Sequence, residues 1–397
     1  MIPAEYEQFG KVVTVGCVNF APVWGNKDKT LAKIEASVVE AASQGVDIVV
    51  FPEEALTGAS ACDGCRIEGG ACEAHQELAE TVPGPSTEHV AALAREHDVY
   101  VVFGLPERDV ADRSSLYDAA AVVGPEGILG TYRKVHLGTL PWVTEGITFR
   151  PGNALPVFHT RFGPIGVLVC YDFWFNPELS RILALKGARV ILNCCATFAG
   201  PGKRDYMVQT TSVRAQENLV YTASANMVGG PGLADYSAGH LDEPRADAFL
   251  GHSTIAGPAF PRFSHVYAEA GDDEEIVSAT LSFEKLHRWQ SVFPMRDWRT
   301  GTTDPSRPAG VRFAARPEGR SGTRATGRRR RSPGRRTEPR RGLPSPSPDD
   351  RSRPPAVPPW LPPPCDAATV AARSSPRPGE DARASPGYPG RRGARPN

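Results

Sequence analysis

The sequence has no excess of charge in either direction. Lysine and arginine number 45, aspartate and glutamate also 45, and the 397 residues carry a formal net charge of zero at pH 7. Proteins that work by embracing a polyanion draw their affinity from a basic surplus, so this balance ranks nucleic-acid binding low for the chain as a whole. Long apolar runs are also missing: the hydrophobic segments are strand-sized and broken by Gly, Pro and charged residues, whereas a membrane-crossing helix needs about 20 consecutive apolar residues. Met1 to Gly10 is polar and has no apolar stretch of the kind a secretory leader carries. These absences point to a protein of the cytoplasm with no membrane partner. The eight cysteines fit a reducing compartment, with the adjacent Cys194 and Cys195 on a strand-like segment reading as core rather than disulfide.

What is present is ample material for one large core, with 40% hydrophobic residues. Strand-like and helix-like segments alternate. Val12 to Phe20 reads as strand, Lys29 to Ser43 as an amphipathic helix stopped by Gly45, Asp47 to Phe51 as strand, Ser86 to His97 as helix with Ser86 as its cap, and Val99 to Gly104 as strand. Strands near Leu116 to Val123 and Ile128 to Arg133 pair across the Gly124 to Gly127 turn. The second half repeats the pattern through a helix at Asn176 to Lys186, a strand at Arg189 to Asn193, a helix at Tyr206 to Asn218 and a strand at Leu219 to Ala225. It closes on strands at Ser253 to Gly257, Ser264 to Ala268 and Glu275 to Leu281. Periodicity thus gives an α/β protein with two related-looking halves.

Three segments carry chemistry. In Gly163-Pro-Ile-Gly-Val-Leu-Val-Cys170-Tyr-Asp-Phe-Trp-Phe-Asn-Pro-Glu178 an apolar strand ends in a thiol and then turns into a helix start. A thiol there can have its pKa lowered by the following helix N-terminus and by nearby cations, and the backbone N–H groups beyond it can receive an oxyanion. In Asp47-Ile-Val-Val-Phe-Pro-Glu53-Glu-Ala-Leu-Thr-Gly58 a carboxylate follows a strand's C-terminal end, where α/β proteins gather functional groups. Ile128-Leu-Gly-Thr-Tyr-Arg-Lys134-Val-His-Leu137 puts an ammonium at a third strand exit, with Glu145 following in Trp142-Val-Thr-Glu-Gly146. A buried core cysteine and two solvated loop charges are the bland alternatives taken one at a time; a carboxylate, an ammonium and a thiol on three strand exits form an acyl-transfer set.

The trio resembles the nitrilase superfamily of carbon–nitrogen hydrolases, whose motifs are a Phe-Pro-Glu after a strand, a Tyr-Arg-Lys-x-His-Leu, and a Gly-x-x-x-Cys-Tyr-Asp leading to a Pro-Glu-x-x-Arg helix, present here in that order. The likeness runs from about Lys11 to about Arg299 and includes Arg214-Ala-Gln-Glu-Asn218 and Gly251-His-Ser253. It implies a four-layer α-β-β-α sandwich over residues 1–299 that forms a homodimer or higher homo-oligomer and uses no cofactor. It implies Cys170 as nucleophile, Glu53 as general base, Lys134 with the backbone N–H of Tyr171 as oxyanion stabilisers, and Glu145 as a second, orienting glutamate. Glu54 competes with Glu53 for the base, but the motif selects the residue immediately after Pro52. Asp172 reads as a residue that holds the turn. Cys-Tyr-Asp resembles the amidase and carbamoylase branches, so a small amide ranks first as substrate, with a nitrile or an N-carbamoyl (ureido) compound next and acyl transfer behind. The lack of membrane-length runs argues against the superfamily's membrane-embedded acyltransferases. Trp142, Phe173 and Trp174 are candidates for an aromatic substrate pocket.

Two further features stand apart. Cys62, Cys65, Cys72 and His75 have ligand types suited to zinc, but the spacer between the pairs is very short and surface loop thiols are the default; any zinc there would be structural. From about residue 300 to 397 the composition shifts to Arg, Pro, Gly, Ser and Ala, including Gly327-Arg-Arg-Arg-Arg-Ser-Pro-Gly-Arg-Arg336 and the proline-rich stretch from Pro354 to Pro364. Such sequence cannot bury enough apolar surface to offset its ordering entropy and reads as a disordered tail, or as the product of a frameshift in a GC-rich coding region. A catalytically idle scaffold, or a nucleic-acid binder acting through that arm, are the readings from other classes; the intact Glu53, Lys134 and Cys170 speak against the first and the neutral charge against the second.

Overall fold

The computed structural model describes residues 6–59, 73–140, 143–229 and 249–294. The Arg/Pro/Gly-rich segment from residue 300, Trp142, and Cys62, Cys65 and Cys72 lie outside them.

In the first half the elements are β1 (Val12–Asn19), α1 (Lys27–Ser43), β2 (Ile48–Val50), α2 (Glu73–Leu78), α3 (Pro85–Glu96), β3 (Tyr100–Arg108), β4 (Leu116–Gly124), β5 (Gly127–Arg133), the short pair β6 (Thr139–Leu140) and β7 (Val143–Thr144), and α4 (Glu145–Thr148). The second half has β8 (Val157–Thr160), β9 (Gly163–Val169), α5 (Tyr171–Phe175), α6 (Pro177–Leu185), β10 (Val190–Cys195), α7 (Lys203–Asn218) and β11 (Tyr221–Asn226). The short β12 (Val228–Gly229) and β13 (Phe249–Leu250) follow, then β14 (Thr254–Ala259), β15 (Arg262–Glu269), β16 (Glu275–Ser282) and α8 (Phe283–Val292).

Two six-stranded sheets form the centre, in the orders β16-β1-β2-β3-β4-β5 and β15-β14-β11-β10-β9-β8. Each is parallel in its middle and antiparallel at its flanks: β1, β2 and β3 run parallel, as do β9, β10 and β11. The alternation of side chains along each strand builds the layers. On the first sheet Val13, Val15, Cys17, Ile48, Val50, Tyr100 and Val102 join Val167, Val190 and Leu192 of the second in one buried cluster. Their sequence neighbours Val49, Phe51, Val101 and Phe103 face the other way, against Ile34, Val38 and Ala41 of α1 and Val90 and Ala94 of α3. On the far side of the second sheet, Leu179 and Leu183 of α6 and Met207 of α7 close the core. The result is the α-β-β-α sandwich expected from the sequence.

Several boundaries differ for local reasons. Pro85 occupies the first position of α3, which suits its missing N–H, so the cap falls on Gly84 rather than Ser86; the Gly84 N–H donates to Thr87 Oγ1 at 2.9 Å, and Ser86 turns its hydroxyl to Glu80. Asn176 stands at the start of α6, but its side-chain amide donates back to the Tyr171 carbonyl at 3.1 Å instead of capping. Gly45 ends α1 with φ 77°, a conformation glycine adopts without strain. The edge strand β8 and the helix α8 are additions to the elements expected from the sequence.

Candidate active site

Three strand exits meet at one cavity. The turn after β2 is tied to the neighbouring strand by Phe51 N–H to Val102 O at 2.8 Å and Gly104 N–H to Pro52 O at 3.0 Å. That approach requires glycine: a Cβ at Gly104 would lie 2.2 Å from the Glu54 nitrogen and 2.5 Å from the Pro52 oxygen. Glu53 is thereby fixed and almost fully buried. Lys134 extends the β4–β5 ladder by one step, its N–H reaching Asp118 O at 2.9 Å, and its side chain is fully buried.

Burial of an ammonium is tolerable here because it is surrounded by carboxylates. Lys134 Nζ lies 2.5 Å from Glu53 Oε1, 2.8 Å from Glu145 and 3.1 Å from Asp118 Oδ2. Burial alone would favour the neutral amine, but Glu145, Glu53 and Asp118 together hold its pKa well above the ordinary lysine value. Glu53 uses its second oxygen to accept the Ala196 N–H at 2.9 Å, and Glu145 Oε2 accepts the Gly138 N–H at 2.8 Å. Glu53, Asp118 and Glu145 are the one group of three potential metal ligands found among the described residues, and the Lys134 ammonium already fills the space between them.

Cys170 follows β9 and begins α5 with φ 42°, a left-handed conformation uncommon for a residue with a Cβ. Its N–H is held by Cys194 O at 2.9 Å and Asn193 Oδ1 at 3.0 Å, and its carbonyl accepts from the N–H groups of Phe173 and Trp174. This places the Tyr171 N–H at the first position of α5, where helical amides have no partner within the helix. The sequence suggested a thiol of lowered pKa. The structure gives the opposite: burial, reinforced by the charge of Glu53, pushes Cys170 well above the usual thiol value, against the opposing pull of Lys134 and the Ala196 N–H. The resting group is the thiol, and it needs a base to become a nucleophile.

Asp172 joins the two sides of the site. It is fully buried; Oδ2 accepts the Tyr132 hydroxyl at 2.5 Å and the Val135 N–H at 2.8 Å, while Oδ1 accepts the His136 N–H at 2.8 Å. The residue two places after the thiol thus grips the backbone directly after Lys134. Arg214 braces the same turn from α7, donating to Phe173 O and Trp174 O at 3.0 Å each. Sequence reading placed Arg214 in a motif block but gave it no task.

The cavity measures about 260 Å³ and is lined by Glu53, Glu54, Asp118, Glu145 and Cys170 together with Tyr171, Trp174, Phe175, Phe198, Lys203 and Tyr206. Trp174 lines it as the sequence suggested, with its indole N–H on Thr197 Oγ1 at 3.1 Å. Phe173 does not: it points into the main core and is fully buried, because the turn of α5 directs residue 173 inward and residues 171, 174 and 175 toward the cavity. Glu54, the rival for the base, is turned to His75 Nε2 at 3.3 Å. His75 is the one candidate zinc ligand among the described residues, and it packs edge-on against Phe149. Asp118, Phe198, Lys203 and Tyr206 also line the cavity and have no role in the sequence reading, because they neighbour no motif residue along the chain. No helix among the described residues is long and apolar enough to cross a membrane.

Comparison with known proteins bears on the family and the fold. The carbon-nitrogen hydrolase family model matches residues 14–291. A protein named nitrilase from Pyrococcus abyssi is 36% identical over 268 residues, covering 67% of this chain and 88% of its own length. The omega-amidase NIT2 of Xenopus tropicalis is 30% identical over 283 residues, covering 69% of this chain and 90% of its own. Among solved structures, a carbon-nitrogen hydrolase from Helicobacter pylori superposes with a TM-score of 0.60 at 23% identity, covering 73% of this chain and 96% of its own, which bears on the fold. A family match over residues 14–291, more than half of the chain, on a sandwich whose strand exits converge at one cavity, makes this chain a member of the carbon-nitrogen hydrolase family.

Proposed function

We propose that the protein hydrolyses a small carboxamide, with Cys170 as nucleophile, Glu53 as general base and acid, and Lys134 with the Tyr171 N–H as oxyanion stabilisers. The observation that carries the reading is a fully buried ammonium bonded to Glu53, with Glu53 and the Cys170 thiol lining one cavity. Glu53 takes the Cys170 proton as sulfur adds to the carbonyl carbon, and the C=O electron pair moves onto oxygen. When the tetrahedral species collapses, the C–N bond breaks, Glu53 returns its proton to nitrogen, and ammonia leaves a thioester. Water then adds to that thioester, giving a proton to Glu53. Cleavage of the C–S bond releases the acid, and the sulfur recovers the proton. Lys134 and the Tyr171 N–H face the oxygen that turns negative in both halves. Glu145 holds Lys134.

A cavity of about 260 Å³ that combines aromatic and charged walls suits a compact, polar acyl group. Nitrile or N-carbamoyl hydrolysis fits the same residues; the likeness to a protein named nitrilase favours the former as the second reading. We assign the activity to residues 1–299, since the family match ends at residue 291. The test is an ammonia-release screen of the purified chain, and of a version ending near Gly301, over small amides, nitriles and N-carbamoyl compounds, with Cys170→Ala as control. Amide turnover in both and none in the control supports the reading; undiminished turnover by Cys170→Ala sinks it.

A further inference from the structure

One carboxylate at the cavity has no part in the chemistry above. Asp118, near the start of β4, is 2% exposed, its Oδ2 is 3.1 Å from Lys134 Nζ, and its Oδ1 has no hydrogen-bond partner among the described residues. An ammonium has three N–H donors. Lys134 has three carboxylate neighbours, Glu53 at 2.5 Å, Glu145 at 2.8 Å and Asp118 at 3.1 Å. Two of the Lys134 donors are bonded to Glu53 and Glu145, and the third has the Asp118 carboxyl beside it as an ion-pair neighbour, so that contact is the one to open when an oxyanion forms.

The three partners are unequal. Glu53 is also held by the Ala196 N–H and Glu145 by the Gly138 N–H, while the Asp118 carboxyl has Lys134 alone. Three ionised carboxylates around one ammonium would leave two negative charges uncompensated in a buried site, and a proton that relieves this settles on the group with the fewest donors. Burial does push Asp118 well above the usual carboxylate range, with the charges of Glu53, Glu54 and Glu145 adding to it and Lys134 opposing.

Resting on the assignment of Cys170 and Lys134 above, we propose that Asp118 is a positioning residue that stands in for the oxyanion: as a neutral carboxylic acid it faces the third Lys134 donor in the resting enzyme and gives way to the substrate oxygen as negative charge develops there. A neutral acceptor yields to an anionic one because hydrogen bonds to ionised acceptors are roughly twice as strong. A fully charged Asp118 would instead keep the lysine.

The test compares Asp118→Ala and Asp118→Asn with the native full-length chain on an amide that the native chain hydrolyses, and measures Cys170 alkylation by iodoacetamide alongside. Alkylation displaces iodide from a saturated carbon and forms no oxyanion, so it needs the thiol and base but not the third Lys134 donor. The expected result for Asp118→Ala is a kcat lower by about tenfold with KM within about twofold and an unchanged alkylation rate, because an ammonium left with Glu53 and Glu145 alone is drawn toward them and away from the place where the oxyanion forms. Asp118→Asn, which keeps a neutral acceptor of the same shape, should retain kcat within about threefold. Full activity in Asp118→Ala, or equal falls in turnover and alkylation, overturns the proposal. So does a loss of more than about tenfold in the isosteric Asn variant, which decides the matter if the Ala variant does not fold. A native chain with no amide turnover sinks the functional reading itself, and this inference with it; an active native chain with indifferent Asp118 variants sinks this inference alone.

Discussion

The two sheets supply opposite halves of the chemistry. The first delivers charge, with Glu53 beyond β2, Asp118 on β4 and Lys134 beyond β5. The second delivers the thiol and uncharged groups, with Cys170 beyond β9, Asn193 of β10 accepting the Cys170 N–H, and the Ala196 N–H just beyond β10 donating to Glu53. The second sheet's own groups around the thiol are uncharged, and the charges that act on it, those of Glu53, Lys134 and Glu145, come from the first half of the chain. Neither sheet holds a complete site. What brings the halves into register is the Glu53 contact to the Ala196 N–H and the grip of Asp172 on the backbone after Lys134.

The severest way to break the division is to remove the cation from the charged side. Lys134→Ala should lower amide turnover by on the order of a hundredfold or more and also lower the melting temperature, because three carboxylates lose their shared partner; steady-state kinetics and thermal unfolding check the two effects. Glu53→Gln should lower turnover by on the order of a hundredfold, while Glu54→Gln, whose side chain faces His75, should do much less; equal losses would place the base wrongly. Asp172→Asn attacks the seam between the halves. It keeps the shape but weakens the acceptors for Tyr132, Val135 and His136, and should lower turnover by about tenfold with a drop in melting temperature of a few degrees. The smallest effect belongs to the cavity wall: Lys203→Met should raise KM by about twofold to fivefold for amides bearing a carboxylate and leave neutral amides unchanged.

Much of this was legible because functional groups sat at strand exits in runs with strong local signals. Ile-Val-Val-Phe-Pro-Glu53 and Gly-Val-Leu-Val-Cys170 each announce a strand and its end, and the three motif residues do share one cavity neighbourhood. Asp118 was not legible. In Leu-Tyr-Asp-Ala-Ala-Ala it reads as the polar member of a hairpin strand, and its closeness to Lys134 follows from the antiparallel register of β4 on β5, with Ala119 opposite Arg133. Phe173 was misplaced because Tyr-Asp-Phe-Trp-Phe is too short to reveal which residues a helical turn sends inward. The direction of the Cys170 shift was missed for a different reason: burial depends on what the rest of the fold lays over the thiol, and a strand-exit motif carries no record of that.

The left-handed backbone at Cys170, φ 42°, makes the proposed nucleophile a poor choice for the fold. Side chains held in such conformations carry on the order of 1–3 kcal/mol of strain, and glycine relieves most of it. Cys170→Gly should therefore unfold at a higher temperature than the native protein while hydrolysing nothing. Selection for robustness alone would erode this position, and only selection for turnover maintains a cysteine there.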